Sequence, residues 1–182
     1  NHMKEIYLIR HAESEANIAD DLDNPTHYFD AKITAKGRLQ AKQTYKDLKN
    51  LDFDLYVCSP LTRTLETFSI VFPEKKPFIS DLVREHLYHS CDVGRQPIEL
   101  EKEFPNFDFS NLKKFWWNQY IPIDEKIIIQ ESYNDIKIRL DKFKEWLDTK
   151  EIKKIAVVSH GTFLGQITGR MLNNCEHFIW KY

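Results

Sequence analysis

The sequence predicts an α/β fold, a three-layer α/β/α sandwich with a mostly parallel central sheet and an inserted lid segment. Short apolar runs at 4–9, 53–58 and 155–159 have the length and composition of buried strands. Segments with helical spacing lie between these runs, and strands that alternate with helices are typical of a parallel sheet covered on both faces. The length of 182 residues is enough for one domain with a full hydrophobic core.

The first half of the chain divides into two strand–helix units. The β-rich run Lys4–Ile9 is followed by a polar loop around residues 20–32, and Thr34 then has the side chain of a helix N-cap. The second strand is predicted at 53–58, and Ser59-Pro60 opens the next helix, because a first helical turn tolerates proline. The helix that Thr34 caps is predicted to run through Leu39, Ala41, Tyr45 and Leu48.

The second half begins with a short strand at Phe78-Ile79, and regular patterns then weaken across residues 81–130, which are rich in aromatic residues and proline. Ser132 is a predicted N-cap, and the third strand ends in His160-Gly161. A helix over 162–172 and a final edge strand in "HFIWKY" complete the prediction. The helix after Ser132 is predicted from apolar residues at helical spacing, namely Ile136, Leu140, Phe143 and Leu147.

Composition narrows the class of protein. Hydrophobic residues make up 42% of the chain and charged residues 30%, as in ordinary globular proteins. The net charge of −2 gives no reason to expect nucleic acid as a partner. Apolar runs are too short to cross a bilayer and no signal segment opens the chain, so we expect no membrane association and a cytoplasmic location. The oligomeric state is left open.

Two further expectations concern cysteines and chain boundaries. The three cysteines are odd in number and widely spaced, which favours free thiols in a reducing compartment over a disulfide framework. Asn1-His2 before Met3 has the appearance of an expression scar. We therefore expect residues 3–182 to form a single domain.

Polar side chains stand at the ends of all three long predicted strands. Arg10-His11 follows the first strand, Ser59–Arg63 the second and Ser159-His160 the third. Ligands of open α/β sheets bind beyond the carboxyl ends of the strands, where helix N-termini also point. Because arginine matches phosphate oxygens with two parallel hydrogen bonds and keeps its charge, these residues predict an anion pocket.

The same residues resemble a known family. The motifs "LIRHAESEAN", "ITAKGRLQAK", "SPLTRTLET", "LVREH" and "VVSHGTFL" occur in the order and spacing of the histidine phosphatase superfamily, and more narrowly of its phosphoglycerate mutase-like branch. The resemblance spans about residues 4–172 and leaves mainly 86–130 unmatched. We expect that unmatched segment to be a variable lid insertion in the single domain.

The resemblance implies a catalytic set. His11 would be the nucleophile that becomes a phosphohistidine, and Arg10 and Arg63 would hold the non-bridging phosphate oxygens. His160 would be the second histidine, and Glu85 would protonate the leaving group and then activate water. The resemblance implies a substrate-binding set formed by Arg10, Ser14, Asn17, Arg63, His160 and Gly161.

This chain departs from the family pattern around the acid. The family commonly has glycine four residues after the acid, whereas this chain has His89. Glu66 and Glu13 are therefore rival acids, although Glu66 falls within a predicted helix and is expected to be exposed. Ala12 stands where many members have glycine, a change expected to be harmless.

A rival interpretation of the unmatched segment is a zinc site. His86, His89 and Cys91 lie in one short segment, "HLYHSCD", and are types that zinc accepts, but a fourth ligand and a second pair are missing. A specificity loop beside Glu85 is favoured instead. We expect no metal and no cofactor, because the arginines can supply the positive charge.

The aromatic residues of the unmatched segment have two alternative roles. Core packing, in a small satellite core, is favoured over direct contact with substrate. The residues in question are Phe104, Phe107, Phe109, Phe115, Trp116, Trp117 and Tyr120.

The function that the sequence favours is hydrolysis of phosphomonoesters without a metal. A phosphoglycerate mutase-type phosphotransferase is the alternative, but the additional basic substrate motifs of mutases are not recognisable. A catalytically silent phosphate-binding module is disfavoured, because Arg10, His11, Arg63 and His160 are all present. The substrate would be a phosphorylated small molecule or a phosphoprotein.

Overall fold

A computed structural model describes residues 3–21, 29–120, 124 and 127–182, so the interpretation of Asn1-His2 lies outside the described residues. Within them, one sheet has the strand order β3-β2-β4-β1-β5. β5 runs antiparallel to β1 at one edge, and the other neighbours are parallel. The strands are β1 (Glu5–Arg10), β2 (Leu55–Cys58), β3 (Phe78–Ile79), β4 (Lys154–Ser159) and β5 (His177–Lys181).

The helices begin largely where the capping residues indicate. Thr34 accepts a hydrogen bond from the Gly37 amide, and Ser132 and Asp135 form a reciprocal capping box. None of the helices in the described part of the chain is long and apolar enough to cross a membrane. The helices are α1 (Glu15–Asp21), α2 (Ala35–Leu48), α3 (Thr62–Val71), α4 (Pro97–Glu103), α5 (Tyr133–Asp148) and α6 (Gly161–Thr168).

Helices cover both faces of the sheet, which confirms the three-layer α/β/α prediction. Side chains of a strand alternate between faces, so Tyr7 of β1 joins one core cluster and Leu8 the other. α2 and α3 pack on the first face, where Leu65 and Phe68 are fully buried. α5 and α6 pack on the second face around Phe143 and other apolar residues.

Several predicted details are wrong. α1 lies partly where a polar loop was expected. α3 begins at Thr62 rather than at Pro60, and α6 ends at Thr168 because Gly169 adopts a left-handed conformation with φ 79°. Leu39 of α2 was expected on the apolar stripe but is 67% exposed.

The aromatic residues of 86–130 do pack into a core, but the expected separate satellite core is wrong. Phe109, Trp116 and Trp117 are buried in the same cluster as the α3 side chains. The ring centroids of Phe107 and Phe68 lie 5.9 Å apart. Tyr120 is the exception, at 56% exposure. This packing was not recognisable from sequence, because the contacts join residues far apart in the chain.

Candidate active site

The carboxyl ends of β1, β2 and β4 meet at one edge of the sheet. Arg10 pairs in register with Ser159, and the His11 amide donates to the Ser159 carbonyl over 3.0 Å. The Ser59 amide donates to the carbonyl of Val158, over 3.1 Å. The parallel pairing thus brings together the polar strand ends that the sequence placed far apart.

A cavity of about 450 Å³ opens at this edge. It is of ordinary size for a small-molecule site. Most residues singled out in the sequence line it, namely Arg10, His11, Ser14, Asn17, Arg63 and Glu85. The other two residues of the catalytic and substrate-binding sets, His160 and Gly161, are buried and are not part of the described lining.

The His11 ring is held in one tautomer. Its Nδ1 lies 2.7 Å from the carbonyl oxygen of Ala12, which can only accept, so Nδ1 carries the proton and Nε2 keeps its lone pair. Burial, with Arg63 and Arg10 nearby, holds the pKa of His11 well below its ordinary value. The ring is therefore neutral at working pH and has one nitrogen available as a nucleophile.

His160 is fully buried, and its ring centroid lies 5.2 Å from that of His11. Its Nε2 lies 2.8 Å from the Ser59 hydroxyl, while Nδ1 has no hydrogen-bond partner among the described residues. Burial and the neighbouring Arg63 keep its pKa well below the ordinary value. A hydroxyl can donate to Nε2, which leaves an N–H at Nδ1 without a partner.

Two guanidinium groups line the cavity, that of Arg10 half-buried and that of Arg63 buried. Arg10 donates from Nη1 to the Leu172 carbonyl over 2.7 Å, and its buried Nε has no partner among the described residues. Arg63 donates to the Cys91 carbonyl over 2.7 Å and forms a buried ion pair with Asp92 over 3.0 Å. An unpaired buried donor is costly, so the orphaned Nε indicates a site for an anionic acceptor.

Gly161 is the first residue of α6 and lies against Arg10. A Cβ at this position would lie 2.2 Å from the sulfur of Met171 and 3.2 Å from Arg10 Nε. Only glycine therefore fits here without displacing its neighbours. The role of Gly161 in this geometry is to let α6 approach the arginine.

The Glu85 carboxylate lies at the N-terminus of α6 and accepts hydrogen bonds from its first backbone amides. It accepts from the amides of Thr162 and Phe163, each over 3.0 Å, and from the amide of His86 over 2.8 Å. Burial raises the pKa of Glu85, and the nearby Asp92 raises it further against the opposing effect of these amides. A raised pKa favours the protonated form that a general acid needs.

The rival carboxylates lie outside the described lining of the cavity. Glu13 accepts from the Thr34 hydroxyl, and Glu66 accepts from the Ile33 amide and pairs with Arg38. The expectation that Glu66 is exposed is wrong, because its side chain is 11% exposed.

Ser14 and Asn17 are bonded to each other. The Asn17 side-chain oxygen accepts from the Ser14 amide over 3.0 Å and from the Ser14 hydroxyl over 3.2 Å. The amide N–H groups of Asn17 are therefore the donors it can offer to a ligand.

The segment that suggested zinc has another structure. His86 Nε2 lies 2.6 Å from the Glu131 carbonyl, and Asp92 accepts from the amides of Tyr88 and His89. Among the residues that the structure describes, no three His, Cys, Asp or Glu side chains are grouped to hold a metal ion. Sequence reasoning missed Asp92, although the motif "HLYHSCD" contains it and could have suggested an ion pair.

Comparisons with known proteins agree with this architecture. The model of the histidine phosphatase superfamily (branch 1) matches residues 6–182. Phosphoglycerate mutase-like protein 1 of Arabidopsis thaliana is 29% identical, over 98% of this chain and 75% of its own. The adenosylcobalamin/alpha-ribazole phosphatase of Escherichia coli is 24% identical, over 97% of this chain and 83% of its own.

A solved structure supports the same fold. The alpha-ribazole phosphatase from Shigella flexneri superimposes with a TM-score of 0.60 at 19% identity, covering 96% of this chain and 89% of its own. The family model spans nearly the whole chain and includes every strand end described above. This chain belongs to the histidine phosphatase superfamily, branch 1.

Proposed function

We propose that this protein hydrolyses phosphomonoesters through a phosphohistidine on His11. The observation that carries the proposal is the neutral His11 ring, with its Nδ1 proton on the Ala12 carbonyl and its Nε2 lone pair free. Arg10 and Arg63 lie beside it and supply positive charge for the phosphoryl group. The phosphatase names among its relatives support the same reaction.

The first step transfers the phosphoryl group to the enzyme. Nε2 of His11 attacks phosphorus, the bond from phosphorus to the leaving oxygen breaks, and Glu85 gives its proton to that oxygen. Arg10 and Arg63 bind the non-bridging oxygens, and His160 donates from Nδ1 to the same group.

The second step returns the enzyme to its starting state. The Glu85 carboxylate takes a proton from water, the water oxygen attacks phosphorus, and the nitrogen–phosphorus bond breaks. Inorganic phosphate leaves with His11 neutral and Glu85 protonated again. Asn17 offers amide donors that help to seat the phosphate.

The test of this proposal is hydrolysis of p-nitrophenyl phosphate between pH 5 and 8 with EDTA present. We expect activity in the intact protein and its loss in His11→Ala. His177→Ala, which changes an exposed histidine on edge strand β5, is the matched control and should keep full activity. Activity that disappears with EDTA, or that survives in His11→Ala, contradicts the proposed mechanism.

The assignment of Glu85 as the acid has its own test. Glu85→Gln should slow phenyl phosphate far more than p-nitrophenyl phosphate, because a poor leaving group depends on protonation. The expected loss for the poor leaving group is about 10²–10⁴-fold, the usual contribution of general acid catalysis. Equal slowing of both substrates removes the assignment.

The mutase alternative has no specific observation in its favour. A mutase must hold a second anionic group of its intermediate. The described cavity lining contains Arg10 and Arg63 as its arginines, and Arg63 is already paired with Asp92. Phosphoglycerate mutase activity of the intact protein exceeding its phosphatase activity would reverse this ranking.

A further inference from the structure

Aromatic rings line one side of the cavity, directly after Glu85. We call His86, Tyr88 and Tyr133 the aromatic rim, because all three line the cavity and their rings are neighbours. The His86 centroid lies 5.5 Å from that of Tyr88 and 5.2 Å from that of Tyr133. His86 is buried, whereas Tyr88 is 56% and Tyr133 63% exposed. The two tyrosines therefore offer ring surface to a ligand.

The protein fixes the His86 ring and the backbone of both tyrosines without a ligand. His86 Nε2 donates to the Glu131 carbonyl, and the Tyr88 amide donates to Asp92 over 3.2 Å. Tyr133 is the first residue of α5, directly after the Ser132 cap. Because the backbone at both tyrosines is anchored, little backbone entropy is lost when a ligand binds to their rings, so they can contribute to selectivity.

The rim lies where a leaving group would pass. Glu85 immediately precedes His86, and in the proposed reaction Glu85 must reach the leaving oxygen of a substrate whose phosphorus faces His11. The group attached to that oxygen then extends past Glu85 and meets the rim.

The charges of the residues that line the cavity limit which further charged groups the leaving group of a substrate can carry. The permanently charged cationic side chains in the described lining are those of Arg10 and Arg63. Arg95 is held by Asp30 and Glu103, and the adjacent lysines 113 and 114 line a different cavity. Among the described residues that line the cavity, a substrate with a second phosphate or a carboxylate would find no further arginine or lysine to pair with.

We propose that the substrates are phosphomonoesters of small, planar aromatic alcohols without a second anionic group, selected by Tyr88 and Tyr133. This inference rests on the proposed function for the orientation of the substrate. Aromatic rings prefer offset or edge contacts with other aromatic rings, and such contacts distinguish a flat ring from a saturated one of equal size. The cavity volume of about 450 Å³ suits a small molecule.

The test compares benzyl phosphate with cyclohexylmethyl phosphate, whose leaving alcohols are similar in size and acidity. We expect kcat/KM to be about tenfold higher for benzyl phosphate, the effect of one or two aromatic contacts. The corresponding phosphonates, which are not hydrolysed, should show the same preference in calorimetric binding to the intact protein. 3-Phosphoglycerate should be a poorer substrate than benzyl phosphate.

Variants assign the preference to the rim. The double variant Tyr88→Leu/Tyr133→Leu should bring the benzyl to cyclohexylmethyl ratio close to one, while Tyr88→Phe/Tyr133→Phe should keep it. Tyr120→Leu is the matched control, because Tyr120 is similarly exposed and lies outside the described lining of this cavity. A ratio unchanged by the leucine pair overturns the role of the rim.

The outcomes separate this inference from the function on which it rests. Equal binding of the two phosphonates, or better turnover of 3-phosphoglycerate than of benzyl phosphate, overturns the aromatic substrate class while leaving the phosphatase proposal intact. Selective phosphonate binding without turnover of any phosphomonoester overturns the proposed function and supports the aromatic preference.

Discussion

At the scale of single residues, the environment of Glu85 decides the chemistry of the site. Burial, and after it the charge of Asp92, raise the pKa of Glu85, whereas the amides of Thr162 and His86 and the charge of Arg63 lower it. Arg10 also lies close enough to interact with its charge. Asp92 therefore acts on the acid through charge and on Arg63 through an ion pair. We regard it as a positioning residue.

Asp92→Asn tests this position. Asparagine keeps an oxygen for the Tyr88 and His89 amides but removes the negative charge, so the pKa of Glu85 should fall. A general acid works in its protonated form and activity is lost as pH rises through its pKa. The basic limb of the kcat/KM profile for phenyl phosphate should therefore move to lower pH.

The control for this prediction is Asp47→Asn, an exposed change on α2, which should leave the profile unmoved. A basic limb that stays in place or moves to higher pH in Asp92→Asn is incompatible with the electrostatic role.

At the scale of elements, α5 and α6 together hold Glu85. Arg139 of α5 donates to the carbonyls of Arg84 and Glu85, over 2.6 Å and 3.3 Å, while the first amides of α6 bind the carboxylate. α6 starts directly after His160 and ends at Thr168, before the left-handed Gly169. One short helix thus orients a histidine and an acid at the same end.

Gly169→Ala should lower the stability of the protein at the end of α6, although the added methyl group causes no steric clash. A Cβ at Gly169 meets nothing within 4 Å, so the cost is that of a left-handed backbone, about 1–2 kcal/mol of unfolding free energy. Asparagine tolerates this conformation better, and Gly169→Asn should lose less. Urea unfolding of both variants measures the difference, and equal losses would show that backbone strain is not the cause.

At the scale of the whole molecule, Phe109, Trp116 and Trp117 of the segment 86–130 belong to the main core. Phe109 is 1% exposed and belongs to the cluster that includes Leu65 and Phe68. The segment that carries Asp92 is anchored by Leu87 and Val93, which pack in this core cluster, and by the ion pair with Arg63 of α3.

Phe109→Ala should lower the stability of the entire protein. Removal of a buried phenyl ring costs about 3–5 kcal/mol, and the loss should appear in one cooperative unfolding transition. Tyr120→Ala, at an exposed position, should change stability by less than about 0.5 kcal/mol. A separate early transition in Phe109→Ala would instead mark an independent satellite core.

Most of the fold and much of the site could be predicted because their signals are local. The Thr34 and Ser132 caps and the apolar run of β4 identify elements within a few neighbouring residues. α1 was missed because its polar sequence resembles a loop. The end of α6 was misplaced, because the apolar pattern continues past the glycine that stops the helix.

Local sequence patterns were enough to identify the strands, the sheet edge that carries the site, and Arg10, His11, Arg63 and His160 as candidates, because parallel strands must bring their carboxyl ends together. Glu85 became a candidate through the resemblance to the family. The charge and orientation of these groups depend on the folded protein. Segments distant in the chain are joined by the Arg63–Asp92 pair, by the hydrogen bonds between Glu85 and α6, and by the aromatic rim. Burial is the largest cause of the raised pKa of Glu85.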